Sequence, residues 1–481
     1  MIRKFKLILF ICSSILLSCS SQNSADTSNY PLHKNIKVTW FYVGEKENKK
    51  NKYIPKVTSA WDNIWLWHYG GVDDPYNRSD YYPKKFIPNE NPFYFALPFN
   101  DLDENGNLKE IAKKIPWYSD KLFKKNGSVL KNKWIKIIKG NKVAYAQWED
   151  VGPFGKDDFD YVFGNAFPSN GINEIALSVS PAVKDYLNLS DVDYVDWQFV
   201  EEDEVPDGPW KRIITKTPVT FISFKKVDLN TTWYYQLTGD LKIVPAKLYD
   251  IDLFETSKEK IENLKKQGKI VICYFSAGTY ENWREDAYKF NKEDIGNPLP
   301  DWEGEYYLNI NSENVRKIML DRLDLAKEKG CDGVEPDNVN IYLFNTGFNI
   351  TYQNQFNYNR FLTIEAKKRG LLVGLKNDIY QIKDLVDYFD FEVNEECHQY
   401  NECDYLMPFI KEGKPVFNVE YSKIYIENKT AFNKLCQDAL KRNFQTIVLS
   451  KDLDGSIIKA CGYWNKMKIF FIKKKRLFKA N

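Results

Sequence analysis

The feature that most restricts this chain is a repeated alternation in its second half. Short apolar runs that end in polar residues are separated by amphipathic stretches of helical period. The runs are Trp233–Leu237, Lys247–Ile251, Ile270–Ser276, Gly333–Asp337, Leu371–Asn377, Phe391–Glu395, Val416–Tyr421 and Thr446–Ser450. Between several of them lie candidate helices at Lys258–Lys266, Glu313–Lys329, Phe356–Arg369 and Ala431–Arg442. Gly268, Gly330 and Gly370 follow three of these at C-cap positions. Eight parallel strands that each return through a helix predict a (β/α)8 barrel, a TIM barrel, over residues 231–461.

A barrel of this kind carries its chemistry at the C-terminal ends of its strands. Those ends are polar here: Gln236; Asp250 and Asp252; Tyr274 and Ser276; Asp337 and Asn338; Lys376 and Asn377; Glu395; Glu420 and Tyr421; Lys451 and Asp452. Glu335 and Asp337 share one face of their strand, because side chains alternate. Two buried acids on one face are costly unless paired or used. Inward carboxylates from the fourth and sixth strands fall within reach of one glycosidic bond, so Asp337 and Glu395 are the candidate catalytic pair. Glu420 is the alternative partner for Asp337. Lys376 either contacts substrate, together with Asn377, or forms an ion pair with Glu335 or Asp337.

Residues 31–230 have a different texture. Short alternating runs, such as Thr39–Val43, Trp134–Ile138, Val143–Trp148, Val195–Val200 and Val219–Ser223, lie between Gly, Pro and Asn clusters. They predict a mostly-β domain. One helix is expected at Pro181–Leu187, with Ser180 as its N-cap.

The N-terminus reads as an address. Arg3, Lys4 and Lys6 precede an apolar run from Leu7 to Leu17, too short to span a membrane. Leu16-Leu17-Ser18-Cys19 resembles a bacterial lipobox. That resemblance implies a signal over residues 1–19, a lipid on Cys19, a tether over 20–30 and a place in the cell envelope, periplasmic or at the cell surface. Residues 462–481 carry seven basic side chains and no acid, and read as a solvated basic tail. An exported chain permits disulfides. Of six cysteines beyond the signal, Cys397 and Cys403 are the nearest pair. With three histidines and no Cys-x-x-Cys, neither a metal site nor a cofactor is expected. A formal net charge of +2 gives no reason to expect nucleic acid as a partner.

Two resemblances sharpen these expectations. Glu149-Asp-Val-Gly-Pro-Phe154 and Ala176–Val183 resemble the double-psi β-barrel of RlpA-like lipoproteins. This implies Asp150 as a possible second acidic site. The second half resembles glycoside hydrolase family 114, the endo-α-1,4-polygalactosaminidases. The matching pieces include Trp233-Tyr-Tyr-Gln-Leu237, Tyr249–Phe254, Val271–Gly278, Glu281-Asn-Trp-Arg284 with Asp286, Cys331–Asn338, Gly374–Asp378, Asn394–Cys397 and Val419-Glu-Tyr421. The family's acidic pair falls on Asp337 and Glu395. The resemblance implies a (β/α)8 glycosidase whose substrate is an amino-sugar polysaccharide. Such a polymer is cationic, so a mouth lined by Asp250, Asp252, Glu281, Asp286, Asp337, Glu395 and Glu420 would attract it. Trp233, Tyr274, Trp283 and Trp302 are candidate stacking platforms, and Arg284 lies among these residues.

Overall fold

The computed structural model describes residues 30–49, 51, 55–119, 127–169, 175–217 and 222–462. The signal, lipobox, tether and basic-tail readings lie outside the described residues, apart from Tyr30 and Gly462, as does most of the expected Val219–Ser223 strand. Among the described residues no helix is long and apolar enough to cross a membrane.

The first half closes into a six-stranded barrel. Its strands are β1 (His33–Trp40), β2 (Tyr94–Leu97), β3 (Trp134–Lys139), β4 (Lys142–Val151), β5 (Ile175–Val179) and β6 (Asp193–Val200), in the order β1-β5-β2-β4-β3-β6. The β1/β5 and β2/β4 pairs are parallel and the other ladders antiparallel. Trp61, Trp148 and Trp197 fill the interior. The helix Pro181–Leu187 forms as expected, with the Ser180 hydroxyl accepting from Val183 N. The first strand covers His33–Trp40 and not Thr39–Val43, because its ladders to β5 and β6 use residues 33–40.

The second half holds the eight parallel strands. They are β7 (Trp233–Gln236), β8 (Leu248–Asp252), β9 (Ile270–Ser276), β13 (Gly333–Asp337), β14 (Leu372–Lys376), β15 (Phe391–Glu395), β16 (Val416–Glu420) and β17 (Gln445–Leu449), paired in sequence order. A short antiparallel excursion after β9 supplies β10 (Thr279–Glu281), β11 (Ile295–Pro298) and β12 (Glu305–Leu308). The eighth strand meets the first through single bonds and not a ladder. Trp233 Nε1 donates to Gln445 O at 2.7 Å, and Leu237 N donates to Leu453 O at 3.0 Å. A ninth strand, β18 (Ile458–Ala460), adds antiparallel to β17.

The connecting helices start where their caps dictate. Lys258–Lys266 and Glu313–Lys329 form where they were expected, and Ser257 and Ser312 cap them. The next helix spans Tyr352–Lys368, several residues earlier than the apolar period suggests, because Thr351 and Asn354 form a capping box. Gly330 takes the left-handed conformation at φ 88° that ends its helix.

Three disulfides tie this half together. Cys397–Cys403 is the expected pair. Cys273–Cys331 links neighbouring strand regions, and Cys436–Cys461 fastens the last helix to the end of β18. The two halves also touch. Trp67 Nε1 donates to Tyr388 O at 3.2 Å, and the Lys367 ammonium lies over the rings of Trp67 and Phe224.

Candidate active site

The strand ends converge because the chain turns sharply after each one. Asn338, Asn377 and Glu396 follow β13, β14 and β15 and all sit at positive φ, 55–60°. Asparagine tolerates this region, whereas glutamate pays about 1–2 kcal/mol to enter it. These turns leave Asp337, Lys376 and Glu395 at the rim. Gly278 lets the loop after β9 approach the same place, since a Cβ there would lie 1.8 Å from Asn338 O.

Lys376 is the hub. Its Nζ lies 3.0 Å from Glu335 Oε1, 3.4 Å from Asp337 Oδ1 and 3.6 Å from Glu395 Oε2. It also donates to Tyr235 Oη at 3.1 Å. Both rim carboxylates therefore touch one ammonium, and their nearest oxygens are at most about 7 Å apart, the two distances laid end to end. Each rim acid also receives a tyrosine hydroxyl: Tyr274 donates to Asp337 Oδ2 at 2.9 Å, and Tyr421 to Glu395 Oε1 at 2.6 Å. Asn377 Nδ2 donates to Glu395 Oε2 at 3.2 Å, while its Oδ1 accepts from Glu395 N. Asn338 N donates to Asp337 Oδ1 at 2.7 Å.

Below this layer lies a stack of buried acids. Burial lifts Glu335 to about 7, although Lys376 pulls the other way. Asp250 is driven well above the carboxylate range by burial and then by the Glu335 charge. Asp250 shares a hydrogen bond with Glu335 and has no cationic partner among the described residues, which favours its neutral form. Glu392, on the opposite face of β15 from Glu395, is also buried without a hydrogen-bond partner among the described residues, and burial raises it well above its ordinary value. Burial works against the Lys376 charge too, but Asp337, Glu335 and Glu395 more than reverse it and hold the lysine protonated.

A cleft of about 1110 Å³ opens above Lys376. Of the residues expected there, Gln236, Asp252, Tyr274, Glu281, Trp283, Arg284, Asn338, Lys376, Asn377 and Tyr421 line it, with Asp337 and Glu395 at its floor. Several of these are already engaged. The Gln236 amide donates to Thr238 O and Asp240 O, so it braces a loop. Arg284 holds Asp252 by two bonds of 3.0 and 2.8 Å and Glu281 at 2.8 Å, which neutralises part of the wall.

Other expected residues do not reach the cleft. Asp250 and Glu335 lie beneath it. Asp286 turns away because the buried Arg322 takes both its oxygens, at 2.8 and 2.9 Å. Glu420 points away from the rim, accepting from His398 N at 2.9 Å and Asn418 Nδ2 at 3.3 Å. Trp233 is core. In the first half, Asp150 is buried, paired with Lys56 at 2.7 Å and accepting from Ala60 N at 2.9 Å. Those bonds make it a structural anchor, not an open acid.

Glu420 carries a pH signature. Burial raises it from 4.5 to about 7, against the pull of its hydrogen bonds from His398, Asn418 and Gln399. The folded state thus holds a proton that the unfolded chain releases. The associated stability is complete below about pH 4.5 and is lost as pH rises through about 7. Between pH 5 and 8 the wild type should lose about 2–3 kcal/mol more than Glu420→Gln, read by urea unfolding at both pH values. Equal pH slopes in the two proteins would contradict this.

Sequence reasoning did not single out Glu305, Tyr307 or Phe344, all of which line the cleft. Glu305 sits directly opposite Glu281 on the β10/β12 ladder. Like charges facing across a ladder are unfavourable. Burial, then the Glu281 charge, lifts Glu305 to about 7. The register of this excursion, and no local motif, brings the two together. Trp283 and Trp302 are half exposed along the same wall.

The family model for glycoside-hydrolase family GH114 matches residues 217–466. Ega3 of Aspergillus fumigatus, solved in complex with galactosamine, is 42% identical, covers 50% of this chain and 99% of its own, and has a TM-score of 0.47. The glycoside hydrolase domain of PelA from Pseudomonas aeruginosa is 12% identical, covers 48% of this chain and 98% of its own, and has a TM-score of 0.40. An uncharacterised protein of Methanocaldococcus jannaschii is 30% identical over 139 residues, which is 26% of this chain and 40% of that protein. A Thermotoga maritima protein is 23% identical over 125 residues, 23% of this chain and 39% of its own. This chain thus spans about two-fifths of the length of these two curated relatives. Since the family model covers more than half of the chain, this protein belongs to glycoside-hydrolase family GH114 and is a glycosidase.

Proposed function

We propose that the protein is an exported lipoprotein that cleaves α-1,4-linked, galactosamine-containing polysaccharide inside the chain. Its second half is read as a (β/α)8 barrel with Asp337 and Glu395 as the reacting pair. The observation that carries this reading is the bridge of Asp337 and Glu395 by one lysine at the floor of an open cleft. Glu395 delivers the proton to the glycosidic oxygen. Asp337 acts on the anomeric carbon, either as the nucleophile or as the base that activates water. Lys376 balances the charge between them while positive charge develops on the sugar ring.

The cleft suits a cationic polymer. Glu255, Glu305 and Asp452 stand along it with the reacting pair and outnumber Lys260 and Lys451 on the same lining, and Trp283 and Trp302 offer ring faces to sugars. Mass spectrometry of digests from a panel of amino-sugar polymers should show oligomers from galactosamine-rich chains. Release from glucosamine polymers alone would reject the substrate assignment. The anomer released first, read by NMR, assigns Asp337 as nucleophile or as base. The lipid anchor rests on the sequence around Cys19. It predicts that Cys19→Ala moves the protein from the membrane to the soluble fraction.

A further inference from the structure

A second cavity, of about 880 Å³, lies between the two halves. Its character is opposite to that of the cleft. Lys85, Lys216, Arg360 and Lys368 line it, with Glu365 as the one acid among its lining residues. Glu365 is already shared by Lys368 and Arg369, each at 2.9 Å. Lys85 is paired with Asp384 at 3.0 Å, so the cationic capacity left in the cavity rests on Lys216 and Arg360.

Arg360 is the most telling residue. It is 7% exposed, with its guanidinium carbon 4.4 Å from the Phe86 ring centre and Phe356 and Tyr388 also near. Among the described residues no carboxylate pairs with it; its Nε has no hydrogen-bond partner, and the guanidinium bonds to the Tyr388 hydroxyl. Burying a guanidinium without an anion is costly, and such a fork fits a carboxylate or phosphate in two places at once. On the other wall, His68 is held by Asp62 through Nδ1 at 2.5 Å, which leaves Nε2 for a second partner. Phe86 and Phe361 add ring surface beside it, each with a guanidinium, Arg360 or Arg316, already over its ring.

We propose that this cavity binds an anionic carbohydrate, its carboxylate or phosphate on Arg360 and Lys216 and its ring against Phe86 and Phe361. The site is separate from the acidic cleft and would not accept the cationic substrate proposed above. It gives the two halves a shared ligand, so the protein would hold one polymer while cutting another.

Calorimetry on the full chain tests this with trigalacturonate, a neutral galactose trimer and inorganic phosphate as separate probes. Trigalacturonate should bind, with affinity that falls as salt rises, and the neutral trimer should not. Lys216→Glu, an exposed change, should weaken trigalacturonate binding about 10-fold, and Arg360→Gln by more, while hydrolysis in the acidic cleft stays unchanged. Phosphate binding as tightly as trigalacturonate would remove the sugar from the proposal. Failure of both anions to bind, or equal binding by wild type and Lys216→Glu, would overturn it.

Discussion

Asp337→Asn and Glu395→Gln should each lower turnover by about 10²- to 10⁴-fold without loosening the fold. In the proposed roles, Asp337 loses the charge that acts on the anomeric carbon, and Glu395 loses the proton that frees the leaving sugar. Both amides keep the shape of the acid and one oxygen to accept from Tyr274 or Tyr421. The thermal midpoint should therefore move little, and the variants should still bind polymer. Initial rates on the best polymer, with binding measured on the same samples, read this directly. If either variant kept more than a tenth of wild-type turnover, the two-carboxylate reading would fail. If wild type bound polymer but cleaved nothing, the second half would be a binding module.

Lys376→Met has the second large effect, on both stability and rate. The lysine is buried and faces three carboxylates within 3.0–3.6 Å. Removing one partner of such a set leaves buried charge uncompensated and costs about 3–5 kcal/mol. Glu335 relieves part of this by taking a proton, since burial already holds it near 7 with the lysine present. The loss of stability should thus be larger at pH 8 than at pH 5. Turnover should fall at both, because the reacting pair loses its common counter-charge. Unfolding free energies at the two pH values, measured beside kcat, check this. A loss under about 0.5 kcal/mol at pH 8 would show that Lys376 is not the hub.

Much of this arrangement was legible in short segments. All eight parallel strands lie where the apolar runs predict, because a strand buried on both faces shows as a continuous apolar run. The helix after β8 and the one before β13 match to the residue, since Ser257, Ser312 and Gly330 mark their ends chemically. Asp337 and Glu395 were readable as a pair because both end parallel strands two places apart in the order. Glu305 was not readable. It reaches the cleft through an antiparallel excursion whose register is decided by pairing with Thr279–Glu281. Asp286 and Glu420 misled for a related reason. Each is an acid near a strand end, but Arg322 from a distant helix claims one, and His398 N, in the turn closed by Cys397–Cys403, claims the other.

Local patterning was thus enough for the eight parallel strands, their order and the two acids that meet at Lys376, since caps, apolar period and strand ends act over a few residues. Which further acids face open space, and which cysteines beyond the nearest pair join, came from packing alone. Cys273 and Cys331 are 58 residues apart, and a carboxylate's fate turns on which cation a remote segment brings beside it. Charge and disulfide partners are chosen across space, and spacing along the chain carries little of that choice.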